Sequence, residues 1–290
     1  VYVCHPSRKP DIKEVMILAF GGTPSDNSFV RRVSEFMHFP TVKEKYDFFV
    51  RFIPGKDAHM RFDTELERME KFGYPDCVLV VGLGFCRREI EKALTLSYPV
   101  LFLGNFMEGD YPDLKYNRIG GDNYSPLKVC LEYALSKKLK KLMLISDQDY
   151  FEHNNFRKAR ENAEFFAHEH GLVLDYHSIP GEKEDMPKVF AEYLAKIKKA
   201  GTLPELLIMV GADPFDFQKN IEAEDIKYQD DLDIISISEP ANESPYIKYV
   251  DRDYNIFYTE MVKAIDKICS KEDADYGIKD IKASKGINGE

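Results

Sequence analysis

Short apolar runs alternate with amphipathic segments along the first part of the chain. The runs are bounded by glycine, proline or aspartate, a pattern typical of strands buried on both faces of a parallel sheet. We predict strands at 15–20, 46–53, 77–81 and 100–103. The segments between them place apolar residues at helical spacing and predict helices at 29–39, 64–72 and 87–96.

The same alternation continues in the second half of the chain. We predict helices at 127–136, 155–169, 186–200 and 215–223, and strands at 142–145, 172–176, 206–210 and 233–238. Segment 249–267 starts extended, becomes helical and is predicted to return to the first lobe. Alternating strands and helices imply parallel sheets with right-handed crossovers. The predicted fold class is therefore α/β, with two Rossmann-like lobes whose parallel sheets are joined by a multi-crossover hinge.

The predicted division of the chain follows from this alternation. Residues 1–11 are expected to be a linker, 12–118 plus 243–270 an N-terminal lobe, 119–242 a C-terminal lobe, and 271–290 a polar tail. The switch between lobes is expected at 119–127, where Asp122 and Asn123 precede a helical segment. Because ligands bind beyond the carboxyl ends of parallel strands where the topology switches, we predict a small-molecule site in a cleft between the lobes.

The amino-acid composition indicates a soluble globular protein. The 290 residues are 44% apolar and 31% charged, which is typical of a soluble globular protein of about two domains. The net charge of −10 argues against this chain itself binding a phosphate backbone. No run approaches the roughly 20 apolar residues that span a bilayer. The five cysteines form no CxxC motif and suggest free thiols in a reducing compartment, so we predict a cytoplasmic protein without membrane contact.

Acidic residues follow several predicted strands. Asp147, Asp213 and Glu239 are examples, and none has a candidate nucleophile or base beside it. The pattern predicts no catalytic residue and no enzyme activity, although paired carboxylates leave a sugar hydrolase as an alternative. A carboxylate accepts hydrogen bonds from two hydroxyl groups, so these residues suit recognition of a polyol.

Nucleotide and metal signals are weak. Gly82-Leu-Gly84 lacks the third glycine of a dinucleotide loop and follows the third strand, and no GxxxxGK[ST] or HExxH motif is present. His168 and His170 are two residues apart on a predicted helix and therefore point to different sides. We predict no cofactor and no metal.

Arg157 is the strongest single candidate for ligand recognition. It lies at the start of the helix that follows the Asp147 loop, where it could reach the site. The alternative is a surface arginine paired with Glu161 four residues later. Phe29, Phe85 and Phe106 follow strands and could form apolar walls of the site, or belong to the core.

An ordered set of motifs over residues 12–268 resembles the effector-binding domain of the lactose/galactose-repressor family. The matching segments are Asp26-Asn-Ser-Phe29, DCVLVVG (76–82), PVLFLGN (99–105), Asp122-Asn123, Arg157 in NNFRKARENA, PELLIMVGAD (204–213) and DLDIISISEP (231–240). The resemblance implies a type I periplasmic-binding-protein fold and a small polar effector, a sugar. The implied ligand-binding residues are Asn27, Phe29, Phe85, Asn105, Asn123, Asp147, Arg157, Asp213, Ser238 and Glu239.

Four positions depart from the family pattern. Ala212 replaces the usual Asn, Ser238 an Asp, Gly104 a frequent Asp and Arg160 a Gly. These departures leave the ligand class open.

The first residues, Val1-Tyr-Val, resemble the end of the wing in gluconate-repressor-type winged-helix domains. The two resemblances together imply a homodimeric transcriptional regulator whose hinge closes on the effector. Its operator DNA would be bound through a DNA-binding domain outside this chain. The alternative is an exported solute-binding protein of a sugar uptake system.

Overall fold

The computed structural model describes residues 12–20, 28–54, 58–70, 75–82, 85–106, 109–147, 154–179, 186–210, 214–227, 231–237, 248–270, 275–282 and 284–288. The chain forms two compact units. Unit 1 comprises Val1–Gly121 and Tyr254–Ile281, and unit 2 comprises Asp122–Asp253 and Lys282–Glu290. The predicted linker at 1–11 lies outside the described residues.

Unit 1 contains a six-stranded sheet in which every described pairing is parallel. Its strands are β1 (Lys13–Phe20), β2 (Tyr46–Ile53), β3 (Cys77–Val81), β4 (Val100–Leu103), β5 (Asn117–Gly121) and β11 (Ile278–Ile281). The spatial order is β11-β5-β4-β3-β1-β2. All residues of β3 and β4 are buried, which explains their continuous apolar sequences.

Helices cover this sheet. They are α1 (Ser28–Met37), α2 (Pro40–Lys43), α3 (Phe62–Glu70), α4 (Arg87–Leu94) and α9 (Tyr254–Cys269), with a 3-10 turn at Ala58–Arg61. Apolar side chains of α3 and α4 pack with those of β1, β3 and β4 into one hydrophobic core. Helix α9 belongs to unit 1, to which the chain returns after Asp253.

Unit 2 contains a second six-stranded sheet, in the order β12-β10-β9-β8-β6-β7. Its strands are β6 (Lys141–Asp147), β7 (Val173–Ile179), β8 (Leu206–Met209), β9 (Asp233–Ser236), β10 (Lys248–Arg252) and β12 (Ser284–Ile287), and its helices are α5 (Tyr124–Ser136), α6 (Asn154–Glu169), α7 (Met186–Lys199) and α8 (Pro214–Ala223). Only β12 is antiparallel among the described pairings.

Two glycines end helices of unit 2. Gly171 and Gly201 follow α6 and α7 and have φ values of 65° and 68°. The N–H groups of the next residues, Leu172 and Thr202, donate back to the carbonyls of Ala167 and Ile197. This is the Schellman arrangement, in which a left-handed residue closes the last helical turn.

The structure confirms the predicted α/β class with two parallel-dominated sheets and differs from the predicted lobe limits. The units divide after Gly121, Asp253 and Ile281, rather than after 118, 242 and 270. The limits move because β5 continues to Gly121, β10 remains in the sheet of unit 2, and the polar tail supplies β11 and β12. No helix among the described residues is long and apolar enough to cross a membrane.

Candidate functional site

The carboxyl ends of the parallel strands are where the chain passes between the units. It leaves unit 1 at the end of β5 and again at the end of β11, and it leaves unit 2 just after β10. Strands β5 and β11 are neighbours in register, with Gly121 paired to Ile281, so two of the three crossings start side by side. This edge is where parallel α/β sheets bind ligands.

Several predicted ligand residues lie outside the described residues. These are Asn27, Asp213, Ser238 and Glu239. Phe29 lies in the first turn of α1, and Asp147 is the last residue of β6. Asp147 therefore lies at the carboxyl end of its strand.

Phe85 lies in the core of unit 1. Its ring is edge-on to Phe20, Phe62 and Phe102, with centroid separations of 5.3, 5.5 and 5.7 Å, and only 1% of the residue is exposed. Phe106 is equally buried against Phe102. The structure therefore places both phenylalanines in the packing interior, the alternative that the sequence left open, and the described contacts leave neither ring a face for a ligand.

Asn105 is held by two neighbours in unit 1. Its Nδ2 donates to the Gly121 carbonyl at 2.8 Å, and its Oδ1 accepts from Nη1 of Arg118 at 3.0 Å. The amide thus ties the residues after β4 to β5. In the structure, Asn105 positions the strand end from which the chain leaves unit 1.

Arg118 is a charged residue in the interior of unit 1 that the sequence analysis did not single out. It is 1% exposed. Its Nε pairs with Asp110 at 2.7 Å, and its Nη2 pairs with Asp280 of β11 at 2.8 Å. Burial alone would lower the pKa of Arg118, but Asp280 and Asp110 raise it, so the guanidinium stays charged.

Gly120 makes room for this arrangement. A Cβ at position 120 would lie 1.9 Å from both Nη1 of Arg118 and Oδ1 of Asn105, whereas a Cβ at Gly121 would meet nothing within 4 Å. Within the predicted switch at 119–127, glycine is therefore required at position 120 but not at position 121. The sequence signal that could have identified Arg118 is a lone basic residue two positions before Gly120.

Asp122 and Asn123 begin unit 2. Asp122 caps α5, because its carboxylate accepts from the backbone N–H of Tyr124 at 3.0 Å and from the hydroxyl of Ser125. Asn123 is half-buried, and its side chain makes no capping hydrogen bond. The helix therefore leaves the Asn123 amide available for a ligand.

Arg157 lies in the first turn of α6 and is exposed. Within the described residues no ion pair joins it to Glu161, although the same helix pairs Arg160 with Glu164 at 2.9 Å. The alternative role as a helix-surface ion pair is therefore not what the structure shows. An arginine without a carboxylate partner can donate in a fixed fork to a polar ligand.

Arg252, the last residue of β10, is a second arginine that the sequence analysis missed. Its Nη2 donates to the Ile237 carbonyl at 3.1 Å, which joins the ends of β9 and β10. Its Nε is buried and has no partner among the described residues. Arg252 adds a donor at the carboxyl edge of the unit 2 sheet, directly before the chain returns to unit 1.

Metal ligands are not grouped in the part of the chain that the structure describes: no set of three His, Cys, Asp or Glu side chains could hold an ion there. Cysteines 77, 86, 130 and 269 are free thiols. His168 and His170 are both exposed, and His170 stacks on Phe166 with centroids 4.2 Å apart.

No protein-family model and no curated protein matches this sequence, but solved structures do. A LacI family transcriptional regulator from Bifidobacterium animalis subsp. lactis is 14% identical with a TM-score of 0.70, over 94% of this chain and 96% of that one. A periplasmic binding ribose operon repressor protein from Lactobacillus acidophilus is 14% identical with a TM-score of 0.69, over 95% and 97%.

A third similar structure is the lactose repressor bound to the anti-inducer ONPF. It is 8% identical with a TM-score of 0.66, and the match covers 95% of this chain and 97% of that chain. At such identities the likeness concerns the fold. The chain therefore has the type I periplasmic-binding-protein fold, which it shares over nearly its whole length with regulators of the LacI type.

Proposed function

We propose that this chain is the ligand-sensing domain of a transcriptional regulator and that its effector is a small polar molecule, a sugar. The observation that carries the proposal is the fold, which covers almost all of both chains in comparisons with a LacI family transcriptional regulator and two repressors. Arg157, Asn123 and Arg252, which are donors near the carboxyl edge of the unit 2 sheet, support a polar ligand. The chain would act by binding and would catalyse no reaction.

The proposed site combines residues from both units. Arg157 and Asn123 are its described polar members, since neither side chain is committed to a structural hydrogen bond among the described residues. Phe85 and Asn105 are assigned to packing and strand positioning instead. The remaining proposed contacts are the predicted residues of the strand-end segments: Asn27, Phe29, Asp147, Asp213, Ser238 and Glu239.

The proposed mechanism is hinge closure about the three chain crossings. An effector shifts the equilibrium between two arrangements of the units only by its difference in affinity for them. In a homodimer this shift would change the spacing of attached DNA-binding domains and hence operator affinity. The net charge of −10 supports a proposal in which this chain binds the effector and basic residues of a separate DNA-binding domain contact the DNA.

A ligand screen followed by one substitution tests the site. Ribose, other monosaccharides, disaccharides and sugar acids are first screened by thermal shift, where saturation at about 100 times Kd stabilises the folded state by about 2.7 kcal/mol. Calorimetry then compares Arg157→Ala with Lys158→Ala, an exposed cation one position later. Losing charge-assisted hydrogen bonds costs about 1.5–3 kcal/mol, so Arg157→Ala should weaken binding roughly 10- to 150-fold.

The expected result is a large loss for Arg157→Ala and a change of less than about twofold for Lys158→Ala, which removes an equal charge. Equal affinity of both variants for a confirmed sugar would remove Arg157 from the site. A stabilising amino acid or nucleobase, with no response to any sugar, would overturn the proposed ligand class.

A further inference from the structure

Most arginines in the described part of the chain pair with a carboxylate. The paired residues are Arg32, Arg51, Arg68, Arg87, Arg88, Arg118 and Arg160. Four others have no carboxylate partner among the described residues: Arg31, Arg61, Arg157 and Arg252. The chain contains 50 acidic and 40 basic residues, so these four are not unpaired for want of carboxylates.

The unpaired arginines share one position in the two sheets. In unit 1, Arg31 lies in α1, which follows β1, and Arg61 ends the 3-10 turn that follows β2. In unit 2, Arg157 lies in the first turn of α6, which follows β6, and Arg252 is the last residue of β10. Parallel α/β sheets bind ligands beyond the carboxyl ends of their strands. Within the described residues, each unit thus leaves guanidinium charge unpaired at the edge where a ligand is expected.

Arg252 is partly buried, and its charge has no counterion among the described residues. Its Nη2 donates to the neutral carbonyl of Ile237 at 3.1 Å, and its Nε is buried without a partner in the same set of residues. A guanidinium has five N–H donors and a permanent positive charge. Removing such a charge from water is unfavourable unless an anion lies beside it. A bound anion would supply the charge that the described side chains do not.

Arg252 and Arg157 belong to the same face and the same edge of the unit 2 sheet. Ile237, to which Arg252 donates, packs in the hydrophobic core with side chains of α5 and α6, among them Phe156. The guanidinium also acts on Cys130 of α5: burial raises the pKa of this thiol, and the charge of Arg252 partly opposes that rise. Arg252 therefore lies on the face that α5 and α6 cover, and α6 itself carries Arg157.

The position of Arg157 does not stabilise its helix. The first turn of α6 contains no acidic residue, and Arg157 is exposed there without a carboxylate partner among the described residues. A helix N-terminus carries partial positive charge, so a cation in the first turn is unfavourable. Further along the same helix, Arg160 is paired with Glu164. The placement of Arg157 is therefore explained by a partner outside the chain better than by the stability of α6.

We propose that the effector carries a carboxylate or phosphate group and that Arg252 binds this anionic group, with Arg157 donating to the same molecule. This inference rests on the proposed function and narrows its ligand class from sugars to sugar acids or sugar phosphates. Charge-assisted hydrogen bonds from guanidinium groups match the geometry of both anions. Hydroxyl groups remain part of the recognition, because α5 leaves the amide of Asn123 available and the proposed contact Asp147 is a carboxylate, which accepts from hydroxyls.

A purely structural role for Arg252 makes a different prediction. Its hydrogen bond to the Ile237 carbonyl joins the ends of β9 and β10. Arg252→Gln keeps an N–H donor and removes the charge. If this link is the whole role of Arg252, the Gln variant keeps the ligand preferences of the wild type. If Arg252 binds an anion, the variant loses the preference for anionic ligands.

Matched pairs of ligands separate charge from shape. Calorimetry compares glucose with glucuronate and with glucose 6-phosphate, and ribose with ribose 5-phosphate. We expect the wild type to bind an anionic member at least about tenfold more tightly than its neutral partner, and Arg252→Gln to lower this ratio at least about tenfold. Arg160→Gln removes an equal charge from an exposed pair on α6 and should change the ratio less than about twofold. Preference for glucuronate would identify a sugar acid, and preference for a phosphate ester a sugar phosphate.

Inorganic phosphate tests the anion site without a sugar. Thermal unfolding is recorded in phosphate and in chloride at equal ionic strength. Because phosphate also stabilises folded proteins by exclusion from their surface, the measured quantity is the difference between variants. Phosphate should raise the melting temperature of the wild type and of Arg160→Gln equally, and that of Arg252→Gln by less.

The outcomes distinguish this inference from the proposed function. Neutral sugars that bind as tightly as their anionic partners would overturn the anionic ligand class and leave the sugar sensor intact. An anion preference that Arg252→Gln does not change would remove Arg252 from the site. If no sugar of either kind binds, the proposed function fails and the phosphate measurement decides: equal stabilisation of the wild type and Arg252→Gln would overturn the anion site.

A second variant covers the case in which Arg252→Gln does not fold. Arg157→Gln then replaces it, because Arg157 is exposed and its substitution does not disturb the core. The proposal predicts a reduced preference for the anionic ligands in this variant also. An undiminished preference would refute it.

Discussion

The structure predicts how much stability unit 1 loses when Gly120 is replaced by alanine. Replacing it with alanine puts a methyl group 1.9 Å from the Arg118 guanidinium and from the Asn105 amide. Neither side chain can move without breaking contacts, because Arg118 is buried between Asp110 and Asp280. Overpacking costs about 1–3 kcal/mol, and each charge-assisted hydrogen bond lost adds about 1.5–3 kcal/mol. We expect Gly120→Ala to destabilise unit 1 by about 3–5 kcal/mol.

Gly121→Ala is the matched control, one residue later in the same strand. Its methyl group meets nothing within 4 Å. Alanine restricts the unfolded chain more than glycine does, so the control should be neutral or stabilising by up to about 1 kcal/mol. The two variants therefore differ only in whether the added methyl group has room, and we expect their free energies of unfolding to differ by several kcal/mol.

The assay must resolve the two units, since a two-unit chain need not unfold in one step. Urea unfolding gives the global free energies, and native-state hydrogen exchange of β4 and β5 amides reports unit 1 specifically. Exchange in unit 2 should be unchanged by Gly120→Ala. Equal opening free energies in β5 for the alanine variants at 120 and 121 would show that the Arg118 cluster does not constrain this strand.

Two further predictions concern polar clusters, one in each unit. Lys263, with Lys279 and Tyr276, lowers the pKa of Glu260 to about 2, below the usual 4.5. A depressed carboxyl pKa adds stability above pH 4.5 that is lost as the pH falls toward 2, so Glu260→Gln should cost about 1–2 kcal/mol at neutral pH, by urea unfolding, and progressively less in acid. In unit 2, Tyr133→Phe removes the hydroxyl bonded to Asp233 and should lower the free energy of unfolding by about 1–2 kcal/mol. Tyr193→Phe is the control: its ring keeps its stacking on His177, so the free energy of unfolding should change by less than about 0.5 kcal/mol. Equal costs at all pH values, or equal effects of the two tyrosine variants, would contradict these assignments.

The central strands could be predicted because their environment is uniform. Cys77–Val81 and Val100–Leu103 are buried on both faces, so every position is apolar, and the predicted limits match the observed ones. The helices between them were found within a few residues for a similar reason, since each has one face on the sheet. Local sequence is therefore enough to predict the limits of an element when burial alone determines which residue types occur in it.

Strands at the margins of the sheets could not be predicted in this way. Strand β12 has the sequence SKGI and β11 the sequence IKDI, and three of the four β11 residues are exposed. Such sequences carry no alternation of apolar and polar positions. Their pairing depends on strands far away in the chain, and the polar tail expected from composition becomes the last strand of each sheet.

Local sequence also did not determine which residues of the candidate site are available to a ligand. Phe85 and Phe106 follow strands in sequence, as ligand-facing residues do, but the chain folds both back into the aromatic core. Asn123 and Arg157 also follow strands, and they keep uncommitted side chains. Position relative to a strand end therefore predicts the region of a residue but not the direction of its side chain.

Arg118 explains why the boundary of unit 1 was placed too early. Its carboxylate partners are 8 residues before it and 162 residues after it in the chain. Strand β11 offers little apolar surface, so its attachment to β5 relies on backbone pairing, on Asn117, which accepts from the N–H groups of Tyr276 and Gly277, and on the buried charge of Arg118. A buried guanidinium is costly unless its charge is paired; Arg118 pairs with Asp110 and Asp280, and its Nη1 also donates to Asn105 and the Gly104 carbonyl. The buried charge of Arg118 is neutralised fully only when Asp280 of β11 packs beside it. The end of unit 1 therefore depends on tertiary structure, and no local sequence pattern predicts it.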